Sequence, residues 1–570
     1  MAHNPLAAGA FLEALSDNGI DYVFGNAGTD FAPLIEAFAQ AEISGATVPM
    51  PVTVPHENVA ICMAQGVYQA SGRPQAVILH VNVGTANAIC GLIDASRERI
   101  PVLLAAGRTP ILEEGEPGSR TAFIHWGQEM FDQAGMLREI VKWDYELRHP
   151  AQAALAVDRA MTVAMADPKG PVYLTLPREV LAAGARPDAR RAPRSAAAPA
   201  APNTAAMERV KERLAKAERP ILVCSSLGRT VAEWDALQSF AESQQVGVVS
   251  YRTRYAALPT AHPANLGVEV GPYLKDADLV LAVECDVPWI PANHVVSEDT
   301  SIIHLGIEPT FGRYPMRNFR AEETIAGDPA VALNDLSGSV TPDGVLVRRR
   351  ERLENARSRA DGALCDFTHP APDGPSNPIW VARCLRSVQR PDDRVVVEIP
   401  FPIQHMDFTR QGSFFATPSA GGLGWALGAS LGVKLADQTR RVIAVVGDGS
   451  YMFGNPTPAH QVARAMDLPT LTIILNNAMW AAVRRATLGL YPDGAAAASN
   501  RAPLTYIDPS PDYARIVEAS GGYGERVERS ADLPEALERA LNIVDEERRP
   551  AVLDVATAYS DQQARTDART

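Results

Sequence analysis

The sequence predicts an α/β protein made of three doubly wound domains, each built on a parallel sheet. Short apolar strands alternate throughout the chain with helical segments of about 10–15 residues, which is typical of parallel sheets covered on both faces. The chain has 570 residues, too many for a single hydrophobic core. Its 46% hydrophobic and 21% charged content is that of a globular protein.

Two changes in composition divide the chain. Residues 185–206 are rich in Ala, Pro and Arg and lack apolar periodicity, so they predict an extended linker. Residues 341–371 are highly charged and predict a helical connector. The predicted domains are therefore 1–184, 207–340 and 372–560.

The first and third domains have similar element orders. In the first, the helix "ENVAICMAQGVYQASG" precedes the strand "QAVILHVNVG", the helix "TANAICGLIDASRER" and the strand "PVLLAAG". In the third, "GGLGWALGASLGVKLA" precedes "RVIAVVGDG", a helix and "LTIILNN". The middle domain offers the strands "RPILVCSS", "VGVVSY", "ADLVLAVECD" and "TSIIHLGI". All three domains are predicted to be doubly wound.

The most informative segment is "RVIAVVGDGSYMFGNPTPAHQVARAMDLPTLTIILNN", residues 441–477. Its first strand breaks at residues 447–450, and its second ends at Asn476 and Asn477. In a parallel βαβ unit the carboxyl ends of both strands lie side by side, so Asp448 and Asn477 are expected to meet at one edge. A carboxylate and an amide oxygen form half of a magnesium site that phosphate oxygens would complete. An ordinary strand–turn–helix is the alternative for "GDGS" alone.

The complete pattern, GDG followed by 26 residues and then NN, resembles the signature of thiamine diphosphate enzymes. The resemblance implies thiamine diphosphate and Mg²⁺ as cofactors. Asp448, Asn477 and the backbone carbonyl of Met479 would hold the ion. It also assigns to cofactor binding the neighbouring loop residues Gly447, Gly449 and Ser450.

The resemblance extends over nearly the whole chain. "GIDYVFGNAGTDF", "PHENVAICMAQGVYQASGRP" and "GPVYLTLPREVL" resemble the first domain of this superfamily, and "IVKWDYEL" and "GGLGWALGASLG" are most similar to benzoylformate decarboxylase. Glu57 starts an apolar helix, where burial would keep it a proton donor. It would otherwise only stabilise the helix N-terminus. The resemblance makes Glu57 the glutamate that activates the cofactor's aminopyrimidine ring, and it puts Leu423 under the bent cofactor. Leu423 is equally compatible with a core position.

Three residues are candidates for work on the substrate. His80 follows the strand "AVILH", and the benzoylformate decarboxylase pattern implies that a histidine here moves protons. Thr29, in "GNAGTD", matches a hydroxyl that binds the substrate carboxylate, although it would also serve as a helix cap. Gln128 is a candidate for contacting the bound carbonyl, whereas a loop-packing role is expected for His125.

Gln404 and His405 resemble the "QH" pair that touches the diphosphate in acetolactate synthases. The flavin-binding features of acetolactate synthases are not evident in "HPANLGVEVGPYLKDADL", so FAD is possible but not supported. Ala27 stands where the superfamily usually has a proline.

The resemblance implies an enzyme that decarboxylates a 2-oxo acid. The product is then either captured by a second carbonyl compound, as in acetolactate synthases, or released as an aldehyde, as in benzoylformate decarboxylase. We expect carboligation, with simple decarboxylation as the alternative. A flavin- or nicotinamide-dependent oxidoreductase is a further alternative, but it predicts a G-x-G-x-x-G after a strand, which the sequence lacks. Because Glu57 and Asp448 lie in different domains, the cofactor is expected to lie between two domains. The resemblance implies that these domains belong to two chains, so a homodimer or homotetramer with the site at the chain interface is expected.

Composition excludes other classes. The net charge of −14 argues against nucleic acid binding. No run of about 18 apolar residues predicts a membrane span, and the N-terminus does not resemble a signal peptide. The six cysteines are scattered without a disulfide or zinc pattern, so a cytoplasmic enzyme is expected.

Overall fold

The computed structural model describes residues 6–184, 195–365 and 367–558. The chain divides into two compact units. The first contains the described residues up to Ala197 and those from Thr417 onward, and the second contains Ala198–Ala416. Residues 185–194 of the predicted linker lie outside the described residues.

The amino-terminal half of the first unit is a parallel sheet covered by helices, as predicted. The sheet order is β2-β1-β3-β4-β6-β5, and β3 and β6 are buried along their whole length, which is why they are continuous apolar runs. The elements are α1 (Ala7–Asp17), β1 (Tyr22–Asn26), α2 (Ala32–Ser44), β2 (Met50–Thr53), α3 (Glu57–Ser71), β3 (Gln75–Leu79), α4 (Val81–Asn87), α5 (Ile89–Arg97), β4 (Val102–Arg108), α6 (Ile124–Gly127), β5 (Asp144–Glu146), α7 (Ala153–Met165), β6 (Val172–Pro177) and α8 (Arg178–Ala182).

The second unit contains a five-stranded parallel sheet in the order β11-β10-β9-β7-β8. Its strands β7 to β10 are the four that the sequence predicts. The elements are α9 (Thr204–Lys216), β7 (Pro220–Cys224), α10 (Val231–Gln244), β8 (Gly247–Ser250), α11 (Gly271–Leu274), β9 (Leu279–Val283), β10 (Ser301–Gly306), β11 (Glu323–Ala326), α12 (Pro329–Ser337), α13 (Asp343–Cys365), α14 (Pro378–Val388), β12 (Arg394–Val397) and β13 (Phe414–Ala416). Strands β12 and β13 pair in parallel.

The helix α13 covers most of the predicted connector, but it packs as part of the middle domain. Arg349 is buried and donates hydrogen bonds to the carbonyls of Ala217 and Gln244 at the ends of α9 and α10. Ala356 of the same helix joins a buried cluster beneath the middle sheet. One face of α13 therefore packs against the core of the middle domain, although most of its residues are charged.

The carboxyl-terminal half of the first unit contains four parallel strands in the order β14-β15-β17-β16. This order matches β3-β4-β6-β5 of the first sheet, so the predicted likeness of the two halves extends to their topology. The elements are α15 (Trp425–Ala436), β14 (Val442–Gly447), α16 (Asp448–Phe453), α17 (Pro456–Ala465), β15 (Leu471–Asn476), α18 (Ala481–Leu490), α19 (Ala495–Ala498), α20 (Tyr513–Glu518), β16 (Tyr523–Val527), α21 (Leu533–Asp545) and β17 (Ala551–Ala556).

The two halves of the first unit are joined by direct contacts. Helix α3 packs along α15. The loop before α15 is anchored on α5, where buried Asp94 accepts a hydrogen bond from the Gly422 amide at 3.0 Å. Buried Glu98 accepts one from the Ser419 amide at 2.6 Å. These bonds hold the loop that carries Leu423.

Every helix in the described part of the chain falls short of the length or the apolar character that crossing a bilayer requires. The six cysteines, all within the described residues, are not joined in disulfide bonds.

Candidate active site

Asp448 and the two asparagines lie at one edge of the carboxyl-terminal sheet. Strand β14 ends at Gly447, and α16 begins at Asp448. Strand β15 runs parallel to β14 with Gly447 opposite Leu475, so Asn476 and Asn477 emerge beside Asp448. The predicted meeting of these side chains follows from this register.

The Asp448 carboxylate is buried and only half satisfied. Its Oδ1 accepts a hydrogen bond from the Gly449 amide at 2.9 Å, whereas its buried Oδ2 has no hydrogen-bond partner among the described residues. Burial raises the pKa of Asp448 to about 6, while the backbone amides of Gly449, Ala478 and Met479 act in the opposite direction. A buried, unpaired carboxylate oxygen is costly unless a cation neutralises it.

The residues present at this edge fit a hard cation. Asn477 is buried next to Asp448, and its Oδ1 accepts a hydrogen bond from the Met479 amide at 3.1 Å. Carboxylate, amide and carbonyl oxygens are the ligands that Mg²⁺ prefers, and it commonly keeps water and phosphate in its other positions. The described residues contain no group of three His, Cys, Asp or Glu side chains that could hold a metal. The predicted magnesium site differs from such a group, because Asp448 is its only carboxylate and its other ligands are an amide and a backbone carbonyl.

A series of buried hydrogen bonds, which the sequence did not predict, fixes the loop that follows β15. The Asn476 amide donates to Asp554 Oδ1 on β17 at 2.9 Å, and Asp554 pairs with Arg526 at 2.7 Å. The Oδ1 of Asn476 accepts a hydrogen bond from the Ala478 amide at 3.0 Å, and Ala478 has a left-handed backbone with φ of 53°. A charged residue within the apolar strand "AVLDVA" was the available signal.

Glu57 is the first residue of α3, as predicted, and it is buried. Both of its carboxylate oxygens accept hydrogen bonds. Asn26, at the end of β1, donates to Oε1 at 2.8 Å, and Asn87, at the end of α4, donates to Oε2 at 2.5 Å. These two asparagines, which sequence reasoning missed, fix the orientation of the carboxyl group.

His80 lies between two polar side chains at the end of β3. Its Nδ1 is 2.5 Å from Asp30 Oδ1, and its Nε2 is 3.3 Å from the amide nitrogen of Gln128. The hydrogen bond to Asp30 raises the pKa of His80, although burial acts against it. Asp30 was missed in the sequence because nothing there shows that it meets a histidine 50 residues later.

Thr29 and Gln128 line the same small pocket as His80. Thr29 is exposed, and its carbonyl lies 3.5 Å from the Nη1 of Arg178. His125 also reaches this pocket but is almost wholly buried, with its Nδ1 accepting a hydrogen bond from the Thr121 amide at 3.1 Å. Burial, together with the nearby charges of Arg178 and Arg120, lowers the pKa of His125.

Gln404 and His405 lie in the second unit, on a short 3₁₀ helix, Ile403–His405. They line a cavity of about 600 Å³ within that unit. Burial first, and then the charges of Arg383 and Arg386, lower the pKa of His405. The contact of this pair with a diphosphate stays a prediction. Leu423 is half-buried in the loop before α15, with its carbonyl 4.0 Å from the Cys90 sulfur.

Polar side chains also meet beyond the end of β9 in the middle sheet, at the edge where α/β folds bind ligands. Buried Asp286 follows β9 and accepts hydrogen bonds from Arg254 and Tyr314.

Three parallel sheets with polar side chains at the strand ends define the class of the protein: an α/β protein of the kind that binds ligands at the carboxyl ends of its strands. Three family models match the chain in order. "Thiamine pyrophosphate enzyme, N-terminal TPP binding domain" matches residues 7–136, the central domain model matches 207–336, and the C-terminal TPP binding domain model matches 401–555. The chain therefore belongs to the thiamine pyrophosphate enzymes, and thiamine diphosphate is the cofactor that this family membership supports.

The relatives include both predicted activities. The chain is 28% identical to benzoylformate decarboxylase of Pseudomonas aeruginosa, over 83% of this chain and 86% of that protein. It is 24% identical to the acetolactate synthase isozyme 3 large subunit of Escherichia coli, over 94% and 92%. The structure of a thiamine diphosphate-dependent 4-hydroxybenzoylformate decarboxylase from Rhodococcus jostii RHA1 shares the fold, with a TM-score of 0.77 at 23% identity over 97% and 99%. The protein is thus a thiamine diphosphate-dependent enzyme related to both groups.

Proposed function

We propose that the protein decarboxylates a 2-oxo acid with thiamine diphosphate and Mg²⁺ and releases an aldehyde. The observation that carries this proposal is His80, held between Asp30 and Gln128 with its Nε2 toward the pocket. Release of an aldehyde needs a proton donor at the reacting carbon, and a histidine is suited to that work near neutral pH. From the sequence alone, carboligation is the expected activity and simple decarboxylation the alternative.

The cofactor, when bound, supplies an electron sink for the negative charge that develops on decarboxylation. Asp448, Asn477 and the Met479 carbonyl would hold Mg²⁺ against its diphosphate. Glu57, oriented by Asn26 and Asn87, would hydrogen-bond its pyrimidine ring. The remaining residues proposed to contact the cofactor are Gln404, His405, Leu423, Gly447, Gly449 and Ser450.

The substrate would be held by polar groups of the amino-terminal pocket. Thr29 would bind the carboxylate of the 2-oxo acid, Gln128 its carbonyl oxygen, and His80 would move the proton. All three line one pocket. Holding the reacting groups together in this way contributes to the rate independently of any charge on the residues.

Association of two or four copies is part of the proposal. The segment next to the pocket exposes large apolar side chains, including Phe123, Trp126 and Phe131. A group of exposed aromatic residues is typical of a surface that another protein covers. A second copy of the chain is the proposed occupant, and a cytoplasmic location stays a prediction.

Carboligation is the second candidate function, because the similarity to acetolactate synthase covers 94% of the chain. Product analysis separates the two candidates. The purified protein, loaded with thiamine diphosphate and Mg²⁺, is given pyruvate and benzoylformate separately, and CO₂, aldehyde and 2-hydroxy ketone are measured. Aldehyde as the main product supports the proposal, and 2-hydroxy ketone supports the second candidate. If neither keto acid releases CO₂ and only a preformed acyloin is cleaved, both candidates are wrong.

A further inference from the structure

The contact between His80 and Asp30 joins two parts of the amino-terminal sheet. His80 follows β3, and Asp30 lies in the short 3₁₀ helix Thr29–Phe31 after β1. Asp30 is only 6% exposed. One carboxylate oxygen faces His80 Nδ1 at 2.5 Å, and the other faces the Val81 amide at 3.4 Å.

Two glycines make this contact possible. A Cβ atom at Gly28 would overlap the His80 ring, and a Cβ atom at Gly107 would overlap the Asp30 carboxylate. The backbone of Val81, immediately after the histidine, has φ of 34°. A β-branched residue adopts a positive φ only when the surrounding structure enforces it. The fold thus maintains the pair at the expense of local backbone strain.

The contact also sets which ring nitrogen faces the pocket. A carboxylate only accepts hydrogen bonds, so Nδ1 carries the proton that is shared with Asp30. Nε2 is then the atom directed at Gln128 and the pocket, where the neutral ring accepts a hydrogen bond from the Gln128 amide nitrogen. When Nε2 is protonated, it faces a hydrogen-bond acceptor only if the Gln128 amide turns its oxygen toward the ring. The charged groups around the ring are Asp30 and Glu57, which favour the imidazolium, and the other ionisable side chains lining the pocket are Arg108, His125 and Arg178.

We propose that Asp30 is a positioning residue: it fixes His80 with Nε2 toward the pocket and keeps the ring a proton donor for the carbon that loses CO₂. This inference rests on the proposed function. As CO₂ leaves, the electron pair of the broken C–C bond stays with the substrate carbon. A C–H bond then forms with the Nε2 proton, leaving His80 neutral until solvent protonates it again. A supply of protons at this point favours aldehyde over ligation.

Asp30→Asn tests the inference because it removes the charge and keeps the shape. The pH profile of kcat/KM for aldehyde formation is measured with the keto acid that the wild-type holoenzyme accepts. Without the carboxylate, His80 loses its proton at lower pH. The alkaline limb is therefore expected to move down by about one pH unit or more, with about a tenfold loss of rate at pH 8 and a smaller loss at pH 6. The fraction of 2-hydroxy ketone among the products is expected to rise.

Two comparisons separate positioning from a purely structural role. Asp132→Asn removes an exposed aspartate paired with Arg138 and is expected to leave the profile unchanged. Gly28→Ala displaces the ring while keeping the Asp30 charge, and it is expected to lower the rate of aldehyde formation at every pH. Gly28→Ala also provides the test if Asp30→Asn does not fold. An Asp30→Asn rate that is lower by one factor across the whole pH range, or a wild-type rate in Gly28→Ala, would overturn the inference.

A direct titration makes failure of the inference distinguishable from failure of the proposed function. The His80 ring is followed by NMR in ¹³C-histidine-labelled protein, with His80→Asn identifying its resonance. The wild-type ring is expected to titrate at higher pH than the ring in Asp30→Asn. Equal titration in both proteins sinks the role of Asp30 whatever the activity. Absence of CO₂ release by the wild type from every keto acid, despite a shifted titration, sinks the proposed function.

Discussion

The ends of β3 and β14 are equivalent positions in two sheets whose strands run in the same order, yet they carry different chemistry. At the first, His80 has both ring nitrogens engaged, by Asp30 and Gln128. At the second, Asp448 keeps one buried oxygen without a partner among the described residues. The comparison shows that equivalent strand ends can carry a hydrogen-bonded histidine in one sheet and an unpaired carboxylate oxygen in the other. The polar groups of the amino-terminal edge satisfy one another, whereas the carboxyl-terminal edge leaves one carboxylate oxygen available to the proposed cation.

The largest expected effect separates activation from binding. Glu57→Gln keeps the size of the side chain but removes the acid, so turnover is expected to fall about 1,000-fold. Cofactor affinity, measured by thermal shift with thiamine diphosphate and Mg²⁺, is expected to stay close to wild type. Full turnover in this variant would contradict the role of Glu57. Glu113→Gln, on the exposed loop before α6, serves as the matched control.

Asp448→Asn tests the carboxyl-terminal edge. Without the charge that a divalent ion neutralises, Mg²⁺-dependent binding of thiamine diphosphate is expected to weaken about 100-fold. The thermal stability of the cofactor-free protein is expected to stay the same or rise, because the buried charge is gone. A titration of cofactor by tryptophan fluorescence measures the affinity. Unchanged affinity would show that the unpaired oxygen does not bind the ion.

Asp554→Asn tests whether the buried hydrogen bonds behind Asn477 affect the affinity of the proposed Mg²⁺ site. Asp554 holds Asn476, which in turn holds the Ala478 amide, so its loss is expected to weaken Mg²⁺ binding about tenfold. The control is Asp467→Asn, an exposed aspartate paired with Arg548. If the two variants bind Mg²⁺ equally well, the hydrogen bonds that link Arg526, Asp554, Asn476 and Ala478 have a structural role only.

The smallest expected effect concerns stability and pH at the amino-terminal edge. The pKa of His80 is raised in the folded protein, so its pairing with Asp30 stabilises the fold fully below the unfolded pKa of about 6.5. That contribution is lost as pH rises through the folded pKa. The difference in free energy of unfolding between wild type and His80→Gln, both cofactor-free and measured by urea denaturation, is therefore expected to be larger at pH 6 than at pH 9. The change is expected to be under about 1 kcal/mol because the ring is partly exposed. An equal difference at both pH values would contradict this pairing.

Sequence reasoning reached those parts of the site that depend on local order along the chain. The position of Glu57 at the start of α3 and the adjacency of Asp448 and Asn477 follow from strand ends and helix starts. The contact of Asp30 with His80 depends on two loops from non-consecutive strands, and no periodicity shows it. The helix after His80 begins at Val81, four residues before the predicted start, because a positive φ at a valine has no signature in the sequence.

Other parts of the candidate site depend on contacts between segments that are far apart in the sequence. Gln404 and His405 resemble a diphosphate-binding pair and lie in a different compact unit from Asp448, so their contact with a diphosphate stays a prediction. The anchoring of the Leu423 loop by Asp94 and Glu98 was likewise missed, because these acids lie more than 300 residues before their partners. Long-range pairs of this kind depend on the packing of complete domains.

The unsatisfied oxygen of Asp448 has a consequence for the life of the protein in a cell. Under the proposed function, a newly made chain without Mg²⁺ and thiamine diphosphate retains an uncompensated negative charge in its interior. Binding of these ligands to the folded form alone would shift the equilibrium away from unfolding. Scarcity of thiamine would therefore leave a larger share of molecules open to proteases. Abundance of this enzyme would then follow the supply of its vitamin without any dedicated regulator.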